Sequence, residues 1–228
     1  MPSKHKLFQG AIILTAAGFI TRFMGFFFRI FLSHAFGEEN VGLYQLTFPV
    51  YALCLSLSTS GIQTAVSRMV AGKVSLGRQK EAKSILYTAL SLTLLLSFTE
   101  VIFVQQNAAF IAQTFLGDSR CEELLIIISY ALPCAAVHSC ICGYSLGLQR
   151  TALPALSQLI EQILRILSVF LLFVFMKQNG RIPSIQIATV GIVAGEFASA
   201  LFSSRFLSRQ EAPMPCPAFS TLTGNLRE

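Results

Sequence analysis

Two arginines, Arg22 and Arg29, stand in a run that is otherwise apolar enough to lie in a bilayer, TRFMGFFFRIFLSHAFG at 21–37. A charged side chain at the centre of a bilayer costs roughly 2.5–3.5 kcal/mol on insertion scales. The two are seven residues apart, about two helical turns, so they share a face, with Gly25 between them on nearly the same side. Lipid does not tolerate such a face, and it is expected to meet protein or a water-filled cavity. Arginine supplies planar, permanently charged donors that suit phosphate, so a phosphate-bearing ligand is the chemistry this pair suggests. The alternative is structural: Arg29 reaches an interface and Arg22 pairs with a helix carboxylate.

A second polar group lies in ALPALSQLIEQILRILSVF at 152–170, where Gln158, Glu161, Gln162 and Arg165 fall at i, i+3, i+4 and i+7. That spacing makes a polar stripe on an apolar cylinder. Glu161 and Arg165 can pair within the helix, leaving the two glutamines as hydrogen-bonding groups. The stripe lines either a lumen or a helix–helix seam, because polar groups in lipid need partners or water. If Glu161 neutralises Arg165, the shared face keeps Arg22 and Arg29 in excess. Glu100 and Glu196, the other acids in apolar runs, are able to offset one of them. The candidate binding set is therefore Arg22, Arg29, Gln158, Glu161, Gln162 and Arg165.

Other chemistry has little support. Cys134, His138 and Cys142 share a helix face at i, i+4 and i+8, which would allow a soft metal site; a small-residue packing face with one satisfied histidine is the commoner meaning. The six cysteines include no CxxC pair and lie mostly in apolar runs, where cysteine behaves as a small hydrophobe. There is no P-loop, GxGxxG turn, HExxH or GxSxG motif. No catalytic residue, cofactor or metal site is expected.

The elements that must position these residues are membrane spans. The 228 residues are 54% hydrophobic and only 12% charged, with a mean hydropathy of +0.64, whereas a soluble domain carries about 25% charged residues. Six apolar runs, at about 10–33, 43–70, 84–105, 124–147, 153–176 and 185–207, reach the roughly 20 residues a spanning helix needs. The first continues past the length of a signal-peptide core and is expected to remain uncleaved. Ten basic residues, Lys4, Lys6, Arg68, Lys73, Arg78, Lys80, Lys83, Arg150, Arg205 and Arg209, fall on one side if the helices alternate; Arg120, Lys177 and Arg181 fall on the other. The bias predicts cytoplasmic termini, with a short N-terminal segment at 1–9 and a tail at 208–228. The net charge of +6 is then a topology signal and an attraction to anionic membrane lipids, with no nucleic acid implied. The loop at 106–121 is expected to form a short interfacial helix. Tyr44, Tyr51, Tyr87, Tyr130 and Tyr144 are expected to anchor the interfaces in a chain without Trp. Pro49 and Pro133 mark expected kinks. Gly143 with Gly147, and Gly191 with Gly195, Ser199 and Ser203, form small-residue ridges for close helix packing.

Several of these stretches, GLYQLTFPVY, LSTSGI, GYSLGLQ and SQLIEQILR, make residues 7–207 resemble bacterial stage V sporulation protein B and its polysaccharide-biosynthesis relatives. That group falls in the superfamily of the lipid II flippase and the multidrug and toxin extrusion transporters. The resemblance implies an all-α polytopic membrane protein whose six helices form one lobe of a two-lobe flippase fold around a central cavity. It implies export of lipid-linked sugars by alternating access, with a lipid-linked sugar pyrophosphate as ligand. First-helix arginines of the lipid II flippase line its cavity. Arg22 and Arg29 are the matching positions, with a spacing that differs by one, and its second-helix cavity arginine has no match in VYALCLSLSTSGI. Family members carry twelve or more helices, so this chain is expected to be an N-terminal lobe, a truncated product or a half. It would need a second lobe or a homodimer and would not transport alone. The alternatives are a lobe of a cation-coupled multidrug exporter, which would want an acidic cavity, and a non-transporting membrane scaffold whose polar stripes are seams.

Overall fold

The structure, a computed structural model, describes residues 4–210, with side chains from 8 to 208. Every regular element among them is helical: α1 Lys4–Phe36, α2 Glu38–Leu55, α3 Gly61–Ser75, α4 Gln79–Phe110, α5 Cys121–Ser129, α6 Ala131–Gly147, α7 Ala152–Gln178 and α8 Gln186–Gln210. They make six apolar spans, because α2 with α3 and α5 with α6 each cross as one broken rod. The chain is an all-α, multi-pass membrane protein.

The breaks have local causes. Between α2 and α3, Ser56–Ser60 widens into a π turn. There Ser58, Thr59 and Ser60 donate to the carbonyls of Cys54, Leu55 and Ser56 at 3.1, 2.6 and 3.3 Å. Hydroxyl bonds to the i−4 carbonyl loosen and bend helices. The interruption thus lies in the serine-rich run rather than at Pro49, which sits inside α2. Between α5 and α6, Tyr130 tightens onto Ile127 O at 3.3 Å. Pro133 follows in the first turn of α6, where its missing N–H costs least and its ring excludes a continuous helix from Ser129. The segment after 105 is not a separate interfacial helix. It continues α4 to Phe110 and then a π turn Ile111–Leu116, closed by Gly117 in the left-handed region at φ 73°.

Packing follows the small residues. A Cβ on Gly143 would lie 2.8 Å from Gln63 O, and one on Gly147 2.8 Å from Ser67 O, so α6 and α3 touch backbone to backbone. A Cβ on Gly195 would lie 2.9 Å from Glu161 O, which brings α8 equally close to α7. The main core joins Phe28, Leu32 and Phe36 of α1 to Leu43 and Tyr44 of α2, Leu124 and Ile128 of α5, Val169 of α7 and Ile192 of α8. Among the tyrosines, Tyr87 and Tyr130 are exposed, whereas Tyr44, Tyr51 and Tyr144 are buried and do not serve as anchors. Their hydroxyl-bearing rings belong to the interior.

Candidate functional site

Helix α1 packs chiefly on α7 and meets α2 at its end. The single-residue connection at Gly37, φ 83°, turns the chain directly from α1 into α2, a conformation glycine adopts without Cβ strain. These three helices border a half-open cavity of about 380 Å³. Its wall contains Arg22, Gly25, Phe28, Arg29 and Leu32 from α1; Val41, Tyr44, Gln45 and Phe48 from α2; and Gln162 and Arg165 from α7. Gly25 leaves room for Gln162, whose Nε2 would lie 3.5 Å from a Cβ placed there.

Three arginines thus face one space, and no acidic residue is among its lining side chains. Arg22 and Arg29 have no carboxylate within ion-pair distance among the described residues. Arg165 is different: its Nη2 bonds Glu161 Oε1 one turn back, and its Nε is buried without a partner. The cavity therefore presents two uncompensated guanidinium groups and a third that is half neutralised. Such a surface has the charge and donors to attract an anion, and a phosphate or pyrophosphate suits planar guanidinium donors best.

The sequence-predicted set divides. Arg22, Arg29, Gln162 and Arg165 are brought together. Gln158 is exposed and lies outside the lining, a helical turn nearer the start of α7. Glu161 turns the other way, into the contact between α7 and α8, and reaches the cavity only through its bond to Arg165.

That contact holds a second polar group, assembled from distant parts of the chain. Donor and acceptor atoms of His138, Glu161 and Glu196 lie within 4.8 Å of one another. Tyr51 Oη donates to Glu196 Oε1 at 3.2 Å. His138 Nε2 is 2.9 Å from Ser157 Oγ, and Nδ1 is 3.2 Å from Ser199 Oγ. Both ring nitrogens are engaged by serines, and Cys142 meets Ser157 at 3.6 Å beside the imidazole. The face that carries Cys134, His138 and Cys142 is thus a packing face with a hydrogen-bonded histidine. The sequence shows His138, Glu161 and Glu196 on three separate helices, each in a different local pattern, and carries no signal that they meet.

The family described as polysaccharide biosynthesis protein matches residues 7–227. The chain belongs to that family. Among its relatives is stage V sporulation protein B of Bacillus subtilis, 34% identical over 200 residues, 88% of this chain and 39% of that protein. The lipid II flippase MurJ of the same organism is 28% identical over 205 residues, 84% of this chain and 37% of that protein. Sporulation protein YkvU, also of that organism, is 25% identical over 171 residues, 74% of this chain and 36% of that protein. The chain spans less than two fifths of the length of these curated relatives. No solved structure matches it at a significant level. This membership places the chain in a flippase and exporter superfamily that acts at the membrane, and a lipid II flippase is a transporter rather than an enzyme.

Proposed function

We propose that this chain is one lobe of a flippase that moves a lipid-linked oligosaccharide or peptidoglycan precursor across the bacterial cell membrane. The observation that carries the reading is the cavity in which Arg22, Arg29 and Arg165 converge without an acid. A lipid-linked sugar pyrophosphate supplies the missing negative charge, and its uncharged sugars meet Gln45 and Gln162. Both termini are cytoplasmic on the basic bias of the loops. The cavity then lies between the middle of α1 and the outer α1–α2 turn. The other half of the transport path comes from a second lobe or a second copy, as rocking between two bodies requires. Exposed Phe26 on α1 borders the cavity, and exposed Phe19, Phe23 and Phe27 extend the same helix's apolar surface toward that partner or lipid.

A cation-coupled drug exporter would be expected to put a carboxylate in the cavity, and its lining has none. The test is binding of lipid II to the chain in nanodiscs. Arg22→Ala is expected to weaken it by about tenfold or more, the scale of a lost charge-assisted contact, and Arg22→Lys to restore part of it. Equal binding by the wild-type chain and Arg22→Ala, with both folded, would refute the anion site.

A further inference from the structure

The group behind the cavity carries an unbalanced charge. Glu161 and Arg165 neutralise each other. Glu196 is 7% exposed, and its Oε2 has no hydrogen-bond partner. His138 Nδ1 stands 3.8 Å from that oxygen, beyond hydrogen-bond reach. With a neutral imidazole the group would hold one uncompensated buried carboxylate, which burial strongly disfavours.

The serines report how that charge is met. Ser157 Oγ donates its only proton to Pro154 O at 3.0 Å, and Ser199 Oγ donates its own to Glu196 O at 2.9 Å. With both hydroxyls turned to these carbonyls, each presents an acceptor to the imidazole, an arrangement in which both ring nitrogens donate. In that arrangement an imidazolium stands beside the carboxylate, and the group holds one proton. If that proton leaves, either hydroxyl is able to rotate from its backbone carbonyl to the bare nitrogen. A metal ion fits less well, because both ring nitrogens already lie within hydrogen-bond distance of serines.

We propose that His138 and Glu196 hold one exchangeable proton, and that this proton sets how strongly the arginine cavity binds its anion. The connection is Arg165, which bonds Glu161 on the inner side and lines the cavity on the other. Loss of the proton leaves a negative charge beside the Glu161–Arg165 pair and draws the guanidinium's field away from the cavity. Gain of the proton returns that field to the cavity. By linkage, an anion in the cavity favours the protonated group by the same factor. The other titratable or charged groups facing the pair are Tyr51 of α2, Cys134 and Cys142 of α6, and Glu161 and Arg165 of α7. Glu123 of α5 is bonded to Gln186 at the opposite end of α8, ten residues from Glu196, about 15 Å along the helix.

The linkage to anion binding rests on the cavity reading above; the proton site does not. The experiment uses the whole chain in nanodiscs with a polyprenyl pyrophosphate as probe. Wild-type affinity is expected to rise on the order of tenfold between about pH 8 and about pH 5. Glu196→Gln is expected to lose that dependence and bind at the tighter level throughout; the probe's own titration is common to both proteins. His138→Gln is the second variant, and it too should flatten the profile. Identical pH slopes in all three would overturn the linkage. A slope that follows sodium at constant pH and vanishes in Glu196→Gln would overturn the proton assignment in favour of a metal cation. Infrared difference spectra of the wild-type chain across the same pH change need no ligand. They should show imidazole and carboxyl bands that Glu196→Gln lacks, and a spectrum unaltered by Glu196→Gln would overturn the proton site even where the probe fails to bind.

Discussion

Helix α7 separates two regions that treat intramembrane charge in opposite ways. Toward α1 and α2, it faces a cavity in which Arg22 and Arg29 find no carboxylate among the described residues. Toward α6 and α8, it faces a seam drawn tight by Gly191 and Gly195, where serines, a tyrosine and a histidine surround the two glutamates. The residue types are equally expensive in lipid on both sides. The difference is where their partners reside. On the seam side polar partners come from within the chain, with one oxygen of Glu196 left over. On the cavity side the partner has to come from outside, as an anion or water. Unpartnered charge marks binding, and partnered charge marks architecture.

The largest expected effect lies where the two regions share a bond. Arg165→Met leaves Glu161 in the seam without its partner; the pair is part-buried, so the cost is about 3 kcal/mol, the low end for breaking a buried ion pair from one side. The double variant Glu161→Met/Arg165→Met removes both charges and should recover most of that loss. Unfolding of the purified chain in detergent measures both. If single and double variants unfold alike, the pair does not hold α7 in place.

Next comes steric pressure on the seam. Gly195→Leu drives a side chain against Glu161 O, where even a Cβ would lie at 2.9 Å, and overpacking of this kind costs about 1–3 kcal/mol. Gly25→Ala meets only the flexible end of Gln162 at 3.5 Å and should gain about 0.5–1 kcal/mol from helix propensity. Opposite signs at two glycines on either side of α7 would sharpen the contrast. Destabilisation at both would erase it.

The cavity arginines should then behave as groups held for a ligand. Arg22→Ala and Arg29→Ala are each expected to change unfolding free energy by no more than about 0.5 kcal/mol, since neither has an internal partner. The same variants are expected to lose anion binding. Thermal unfolding and lipid binding measured on one preparation decide this; strong destabilisation by Arg22→Ala would move that residue to the architectural class.

How much of this the sequence discloses depends on the range of each interaction. The six spans follow from local hydropathy, and the shared face of Arg22 and Arg29 follows from a spacing of seven. The stripe on α7 was too coarse. At about 100° per residue, Glu161 and Gln162 lie at opposite edges of an arc about 100° wide, with Arg165 between them. The seam takes one edge and the cavity the other. Gln158 points along the same arc but begins about 6 Å nearer the end of the helix, outside the cavity. The approach of Tyr51 to Glu196 spans 145 positions, and that of His138 to Ser199 spans 61. No periodicity encodes such pairs, which arise from how α2, α6 and α8 pack. The tyrosines fail for the same reason: amphipathic rings suit an interface, but Tyr51 has a buried carboxylate to bond.

The smallest expected effect lies outside both regions, at the turn before α5. Asp118 accepts from the Arg120 N–H at 2.9 Å and from its guanidinium at 2.8 Å, and Arg120 also reaches Glu39 at 2.8 Å. This clamp joins the start of α2 to the start of α5, and all three side chains are paired yet open to water, where ion pairs contribute little. The hydrogen bonds from Arg120 hold the Asp118 carboxyl below the usual aspartate range. The same contacts hold the Arg120 guanidinium above its own, so it stays charged at every accessible pH and only the carboxylate titrates. A depressed carboxylate stabilises the folded state above its unfolded value of about 4, and that stabilisation fades as the pH falls through the folded value. Asp118→Asn should therefore lower the unfolding temperature slightly at neutral pH and make no difference in strong acid. It should leave lipid binding unchanged, because this pair lies outside the cavity lining. Unfolding curves for the wild-type chain and Asp118→Asn at neutral and acid pH provide the check. A gap that widens toward acid would reverse the sign and remove Asp118 from the clamp.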